Sequence, residues 1–508
     1  MAGAVSKNIL TITEPTIKVD TFDIANMESG KGDTKKDKDY LSKFIGDSYP
    51  AIRINEYDFD KPDILYFILS LDQFLPTLTV TVMDSKGMFS ISQYPKDGDV
   101  LSLFIRSKDE EIYKPIRMDF DILNVDTPPV DLNSYSPTPK DKVSAAGRST
   151  LTYTFDCRAK VPELYSEVCK GFKEDSSFNH LNIIADDLKL GFASNITNTD
   201  DKMVRIIPYD TTLKFILDST LTAYADDNSF FTTYVDPYYY MNFVNINKQL
   251  EYDEALEDSL IVTVKDLSIN KTTSDVLPAN DSKLFLTNLD AGSTGTSRKI
   301  GAYSLINNSG EITLENGYSR TVQYYDEDNR EYRKFVITPL ITENTHPDLN
   351  PLRGRSDETR YKTQVKFKYL GKQSTKDDDG NTYLNYQYAK IHNYQNIQDL
   401  YKMHMIVDLP TANMALYRYQ KIPIVMYEQS AAKIEVMNQK EQLAENKGNV
   451  SATGNDSDAK NTGLNTPKLN KFLTGIYVIE SIHYIYTPGL AGIKQRLKLI
   501  RREWSNAI

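Results

Sequence analysis

The side chains that could support catalysis or metal binding in this chain are five histidines, two cysteines and several clustered carboxylates. No two histidines are spaced as metal ligands on one helix or strand, and neither thiol lies close to them in sequence. We therefore predict structural roles: His180 as a cap or surface group, and His404 and His483 as packed or paired residues of strands. The remaining two are His346, in a loop, and His392, in a Tyr/Asn-rich stretch.

The carboxylate clusters give no clear site either. Asp377-Asp378-Asp379-Gly380 resembles a calcium loop only at its start, because the later Glu of such a loop is absent. Walker and dinucleotide phosphate loops, the Gly-x-Ser-x-Gly elbow and His-Glu-x-x-His are also absent from the sequence. We predict a protein that is not an enzyme and that needs no cofactor and no metal. Catalysis by carboxylates that converge only in space stays open as an alternative.

Composition narrows the class of protein. A chain of 508 residues exceeds one core, so we expect three or four domains. Thirty-four Tyr against one Trp is typical of β-sheet surfaces and interfaces. A net charge of −11 argues against general nucleic-acid binding, which needs basic patches.

The two cysteines, Cys157 and Cys169, are too few for a disulfide framework and favour a reducing compartment. We predict structural roles for both, Cys157 facing inward on a strand and Cys169 on the apolar face of a helix. The sequence has no apolar run of 18 residues and no apolar leader, which predicts a protein neither membrane-spanning nor secreted by a cleaved signal.

The C-terminal segment 472–504 predicts a β-hairpin. Gly475–Tyr486 is rich in β-branched and aromatic residues, and Pro488-Gly489 supplies the turn. The return strand alternates apolar residues with a basic face made of Lys494, Arg496 and Lys498. These three cations are our predicted partner interface, because a charged strand face seeks an acidic neighbour.

Upstream, short alternating strands are predicted at 77–82, 100–105, 116–122 and 152–157, which indicates an antiparallel barrel or sandwich. The period then changes. Helices are predicted at 161–172, at 180–190 with Gly191 as its C-cap, and at 210–224 with Asp210 as cap. The predicted inward residues of the last helix are Leu213, Leu217, Leu221 and Tyr224. A hairpin over 230–235 and 239–244 completes this unit.

Beyond the hairpin, weak strands are predicted at 260–264, 311–314 and 334–338, followed by stronger ones at 361–369, 404–409 and 422–427. The predicted fold is mainly β with an α+β middle, in which two antiparallel barrel-like domains flank a helix-containing domain and carry long loop insertions. The predicted units are an N-terminal arm and linker (1–42), a first barrel (43–158), an α+β middle domain (159–250), a loop-rich β insertion (251–358), a second barrel (359–427 plus 472–508) and a flexible insertion (428–471).

This order of parts resembles the baseplate hub proteins of contractile phage tails and the related hub portions of type VI secretion spikes. The resemblance rests on PTLTVTVMD at 76–84 with DGDVLSL at 97–103, on the run 161–245 ending in TYVDPYYYMNFVN, and on TGIYVIESIHYIY at 474–486 with QRLKLIRREW at 495–504. With the strands at 361–427, these segments cover about half of the chain. The insertions at 268–300, 370–398 and 428–470 depart from simpler family members.

The resemblance implies a homotrimer whose two barrels per chain form a pseudo-sixfold ring between a sixfold tail tube and a threefold spike. Its implied partners are the tail tube protein, the central spike protein and neighbouring baseplate wedge proteins, with DNA only in transit through the channel. Its implied location is the virion tail, after synthesis in the host cytoplasm and without membrane insertion by this chain. The alternatives are a baseplate wedge or tube-initiator protein, a tail-fibre or adhesin module, and a carbohydrate-degrading virion enzyme.

Overall fold

The computed structural model describes residues 9–18, 50–55, 57–59, 61–85, 89, 94–96, 98–105, 116–127, 151–251, 285–288, 298–308, 310–312, 319–326, 331–337, 362–366, 386–427, 469–487 and 492–501. Their strands are β1 (Leu10–Thr13), β2 (Pro50–Ile54), β3 (Tyr57–Asp58), β4 (Ile64–Leu71), β5 (Thr77–Asp84), β6 (Val100–Ile105), β7 (Ile116–Asp126), β8 (Leu151–Ala159), β9 (Glu167–Asp175), β10 (Gly191–Ser194), β11 (Met203–Thr211), β12 (Phe231–Val235), β13 (Tyr240–Asn245), β14 (Leu286–Thr287), β15 (Ala302–Asn307), β16 (Ser319–Asp326), β17 (Glu331–Ile337), β18 (Lys362–Lys366), β19 (Met403–Leu409), β20 (Lys421–Val425), β21 (Gly475–Tyr486) and β22 (Lys494–Ile500). The helices are α1 (Ser177–Asp187), α2 (Thr212–Thr222), α3 (Ile246–Leu250) and α4 (Tyr386–Leu400), with a 3₁₀ turn at Lys61–Asp63.

The protein is mainly β, and most of its strands belong to one 13-stranded sheet, so the predicted fold class is confirmed. The strands predicted at 77–82, 100–105, 116–122 and 152–157 are β5 to β8. In β5 the predicted alternation places Leu78, Val80 and Val82 in the core. None of the described helices is long and apolar enough to cross a membrane.

Block one, the N-terminal part of the large sheet, runs β4-β5-β8-β7-β6-β2, with β3 hairpinned onto β2. A flat sheet would hold β3 and β4 about 29 Å apart, at about 4.8 Å per strand. The chain between Asp58 and Ile64 reaches at most about 21 Å. The block therefore curls around its core, in which Phe59, Phe67 and Phe155 are fully buried.

Block two, the C-terminal part, runs β15-β19-β22-β21-β20-β14. Its ends meet through a bridge between Thr287 and Lys299, just before β15 begins. Ile300 N donates to the Thr287 carbonyl at 2.7 Å, and Gly301 N donates to the Asp408 carbonyl of β19 at 2.8 Å. These bonds close the block into a small barrel.

The two blocks share one strand order. In chain order, the six strands of block one are β2, β4, β5, β6, β7 and β8, and those of block two are β14, β15, β19, β20, β21 and β22. When the strands of each block are numbered one to six in chain order, the spatial order across both blocks is 2-3-6-5-4-1. Their pairings are all antiparallel except β14 with β20. Unlike sequences therefore build the same topology twice.

The middle unit holds the sheet β1-β10-β13-β12, the β9–β11 ribbon and helices α1 and α2. The hairpin predicted at 230–244 is confirmed as β12–β13. The helix predicted at 161–172 is wrong, because this segment leads into strand β9 paired with β11. Cys169 is accordingly an exposed strand residue, whereas Cys157 is buried on β8 as predicted.

Two details of the middle helices also differ from prediction. Helix α1 ends at a C-cap on Leu188, and Gly191 opens β10 instead of capping the helix. Helix α2 has Thr211 as its N-cap and buries Phe215, Ile216 and Ser219. Of the four predicted inward residues, Leu217 is 47% exposed and the other three are half-buried, so the buried face is shifted from the predicted one.

Three further segments lie outside the two blocks. Strand β18, which covers most of the strand predicted at 361–369, pairs with β16 in a separate sheet with β17 and not in block two. Helix α4 begins in the segment 370–398, which we described only as an insertion, and ends at Leu400. Residues 311 and 312 are helical where a strand was predicted. The predictions at 260–264, 377–379 and 428–468 lie outside the described residues.

Candidate assembly interface

The two blocks are joined through one long strand, β21. Its first part pairs with β20 from Val478 opposite Lys421 to Gly475 opposite Ile424. Its second part pairs with β4 of block one, from Ile482 opposite Leu71 to Tyr486 opposite Phe67. Twelve residues rich in β-branched and aromatic side chains let one strand serve both blocks. We call the β21–β4 pairing the block junction.

Arg418 stabilises the block junction from inside. Its Nε donates to the Glu480 carbonyl of β21 at 2.9 Å, and its Nη1 donates to the Gln73 carbonyl, just after β4, at 2.8 Å. The guanidinium lies 4.4 Å from the ring centroid of Tyr234 on β12, and the Tyr234 hydroxyl donates to the Arg418 carbonyl. One buried cation therefore ties block one, block two and the middle unit together.

The middle unit also contacts block one directly. Val235 N donates to the Phe74 carbonyl at 2.7 Å. Tyr239, at a positive φ of 63°, accepts a hydrogen bond from Asp119 N at 2.9 Å. Burial raises the pKa of the Tyr239 hydroxyl, so this group stays a neutral phenol. The hairpin turn is thereby held against β7 and the turn after β4.

The solvent-side face of the large sheet continues across the block junction without a break. One cross-strand row joins directly opposed residues of β19, β22, β21, β4, β5, β8 and β7. The row reads Asp408, Arg496, His483, Ser70, Thr77, Arg158 and Asp121. All seven side chains are exposed or half-buried. We call this surface the junction face.

The predicted interface cations Lys494, Arg496 and Lys498 are on this side of β22, as the alternation indicated. Arg496 forms a two-pronged ion pair with Asp408, at 2.7 and 3.0 Å. Lys498 lies 3.5 Å from Glu480 and 4.3 Å from the ring centroid of Tyr401. Two of the three cations of the predicted partner interface therefore have acidic neighbours from the same chain, while Lys494 is exposed.

Of the four described histidines, His180, His392 and His404 are buried, and His483 is half-buried on the junction face. His404 Nδ1 donates to the Tyr401 carbonyl at 3.4 Å and His483 Nδ1 bonds Ser70 Oγ at 2.9 Å, which confirms the predicted paired strand positions. His180 is buried beside β9, with Nε2 2.9 Å from the Lys173 carbonyl, so its predicted place as a cap or surface group is wrong. Burial lowers the pKa of all three and of His392.

The middle unit holds a second buried polar cluster. Arg205 of β11 donates to Thr222 Oγ1 at 2.9 Å and to Ser177 Oγ at 2.6 Å, and its Nη2 is 3.3 Å from Asp201 Oδ2. Burial raises the pKa of Asp201, while hydrogen bonds and Arg205 oppose that shift. The cluster connects β11 to helices α1 and α2, so its role is to hold these three elements together. In the described residues, no group of three or more His, Cys, Asp or Glu side chains could hold a metal ion.

Sequence reasoning missed Arg418 and the block junction. Arg418 stands in the loop sequence YRYQK, where nothing distinguishes it from an exposed basic residue. Its partners are main-chain carbonyls 345 and 346 positions earlier in the chain, together with one on β21. The available signal was the length of β21, which exceeds what pairing with β20 alone requires.

No family model matches the chain, and no curated protein matches it. The solved structures that it resembles include a tail protein from Neisseria meningitidis (8% identity, 89% of this chain, 96% of that chain, TM-score 0.45). They also include a 43 kDa tail protein of prophage MuSo2 from Shewanella oneidensis (9%, 89%, 98%, 0.46) and a chain of the Francisella PdpA–VgrG complex (10%, 96%, 64%, 0.41). All three similarities are distant.

Proposed function

We propose that the chain is a structural protein of a contractile-tail baseplate, the central hub trimer that joins a sixfold tail tube to a threefold spike. The observation that carries the proposal is the repeated block. A threefold protein can meet a sixfold one on equal terms only if each chain offers two similar surfaces. The two blocks share one strand order and are joined edge to edge by β21 and β4, which supports such an arrangement.

The junction face would line a channel for DNA in transit. Duplex DNA binds through cations that neutralise its phosphates. On this face Arg496 and Lys498 have carboxylates of the same chain beside them, and the whole chain carries a net charge of −11. Both properties support passage of DNA without retention. We propose a structural protein and not an enzyme, with Lys494 left to meet a neighbouring protein.

The proposed partners are two further copies of the chain, the tail tube protein, the central spike protein and the baseplate wedge proteins. The proposed location is the virion tail, after synthesis in the host cytoplasm. A wedge or tube-initiator protein would have a different symmetry, and a tail-fibre or adhesin module would have repeats or clustered exposed aromatic residues on one domain. A virion enzyme would clear host cell walls in an overlay assay, a result that would contradict the structural role.

Light scattering with end-on imaging tests the hub proposal. We expect a particle of three times 57.9 kDa, alone or with the spike protein. End-on images of that particle should show six densities at one radius, because each chain contributes two blocks. A monomeric mass at high concentration, both alone and with the spike protein, would contradict the hub proposal.

A further inference from the structure

The block junction uses the fifth strand of block two and the second strand of block one. Strand β20 begins at Lys421, opposite Val478, so the rest of β21 runs past it. The register of β21 on β22 then shifts between Ile479 and Ser481. After this bulge, β21 pairs with β4. The bulge therefore marks the point where the strand leaves its own block's edge partner.

The fifth strand of block one, β7, repeats these features. Strand β6 begins at Val100, opposite Asp121, and the rest of β7 runs past it. The register of β7 on β8 shifts between Ile122 and Asn124. Beyond that bulge, no described strand pairs with the edge of β7 that faces away from β8. Leu123 is 58% exposed there. In block one, therefore, the strand that runs on past its bulge meets no partner among the described strands on this side.

The second strand of block two, β15, is the counterpart of β4. The row that starts at each bulge reads Ile122, Cys157, Leu78, Leu69 in block one and Ile479, Leu499, Met405, Leu305 in block two. Leu305 therefore corresponds to Leu69, and Tyr303 to Phe67. Among the described strands, β15 pairs along its length only with β19.

Tyr303 is more exposed than its position on the sheet would lead us to expect. It lies opposite Val407, on the core side of the sheet, and yet it is 47% exposed. Its counterpart Phe67 is fully buried, with the ring of Tyr486 from β21 at 6.1 Å. The covering group in block one is thus supplied by the strand that crosses the block junction.

We propose that the free end of β7 pairs with β15 of a second copy of this chain, which repeats the block junction between chains. This inference rests on the proposed ring of blocks and names its contact. In the block junction His483 lies opposite Ser70. The counterpart of His483 in block one is Asp126, and the counterpart of Ser70 in block two is Ile306. The same register therefore places Asp126 of one copy opposite Ile306 of the next. Because β7 and β15 are different surfaces, the contact is head-to-tail, and in a trimer three such contacts, each with a rotation of one third of a turn, close into a ring. It also pairs two open strand edges, which otherwise invite aggregation.

An engineered disulfide tests this register. Directly opposed strand residues have Cβ atoms about 4.5–5.5 Å apart, which small movements bring to disulfide distance, whereas diagonal ones are about 7–8 Å apart. The protein would carry Cys169→Ser, Asp126→Cys and Ile306→Cys. The matched control would carry Ser304→Cys in place of Ile306→Cys. After mild oxidation we expect loss of the single-chain band on a non-reducing gel, with products that stop at three chains, and we expect this only for the first variant.

The outcomes separate the two proposals. A trimeric mass without cross-linking of Asp126→Cys/Ile306→Cys overturns the strand contact and leaves the hub proposal standing. Cross-linking by Asp126→Cys alone overturns it as well, because it would require a symmetric contact between two β7 strands. A monomer in all conditions overturns both proposals. If the variants fail to fold, hydrogen exchange of the unmodified protein decides: protection of 122–127 must appear on assembly, and its absence overturns the contact.

Discussion

Two arginines of this protein illustrate how position decides the energetic role of one residue type. Arg418 is 6% exposed and donates to one carbonyl within β21 and to two carbonyls just after β4, whereas the Arg496 side chain is 50% exposed beside an exposed carboxylate. Removing a buried charged donor leaves its acceptors without partners, while an exposed ion pair contributes little. The two positions therefore form a matched pair for mutation.

We predict that Arg418→Met lowers the free energy of unfolding by about 3 kcal/mol or more, because at least three charged hydrogen bonds are lost. Arg496→Met should change it by less than about 1 kcal/mol. The urea midpoints of the two variants, measured side by side, check this. Equal losses would mean that Arg418 does not hold the block junction.

We predict that stability falls as the pH drops below about 6.5, and that His404 contributes to the fall. Burial, together with Lys498, lowers the pKa of His404 below its ordinary value of 6.5. Below that value the unfolded chain binds a proton that the folded chain does not, so acid favours unfolding. Melting temperatures between pH 8 and pH 5.5 should fall less steeply for His404→Gln than for the unmodified protein. Parallel curves for the two proteins would contradict the prediction.

At the scale of elements, we predict opposite effects on stability for the substitution of Gly191 and of Gly171 by alanine. A Cβ at Gly191 would lie 2.5 Å from the Tyr240 ring and 2.9 Å from Pro15, whereas a Cβ at Gly171 meets nothing within 4 Å. We expect Gly191→Ala to destabilise the protein by about 1–3 kcal/mol through overpacking. Gly171→Ala should be neutral or slightly stabilising, since Ala restricts the unfolded chain. Thermal melts of both variants check the difference, and equal melting temperatures would contradict it.

The strands with clear alternation were predictable, because their side chains face a core on one side and water on the other. Segment 161–172 was not, because Leu164, Val168 and Phe172 recur every four residues. That spacing fits one face of a helix, and it also fits one face of a strand. In β9, Val168 and Phe172 do share the more buried face. The end of this segment is a strand because it pairs with β11, which lies more than 30 residues later in the chain.

The buried face of helix α2 was predicted incorrectly for a related reason. Its leucines outlined an apolar face, but the α2 side that packs on the unit is marked by Phe215, Ile216 and Ser219. Ser219 and its neighbour Thr222 face Arg205 of β11. A buried cation draws hydroxyl groups inward, and its position depends on the tertiary fold. The block junction was missed for the same reason, since its strands lie at opposite ends of the sequence.

For the whole molecule, we predict that the assembled protein does not retain duplex DNA at 50 mM salt. Arg496 and Lys498 of the junction face lie beside carboxylates of the same chain, and the net charge is −11. The variant Asp408→Lys with Asp121→Lys should retain DNA, in a manner that weakens as salt rises. A mobility-shift assay of both proteins checks this. Retention of DNA by the unmodified assembly would contradict a channel role for this face.

Strand β21 also imposes an order on synthesis. His483 meets Ser70 across 413 positions, so β4 emerges from the ribosome long before its partner exists. At about 5–20 residues per second, the edge of β4 waits for about 20–80 s. During that interval two nascent chains on one messenger can pair through the same edge. Premature termination before residue 475 should therefore yield insoluble protein, and slow translation should lower the yield of native chains more than their stability would suggest.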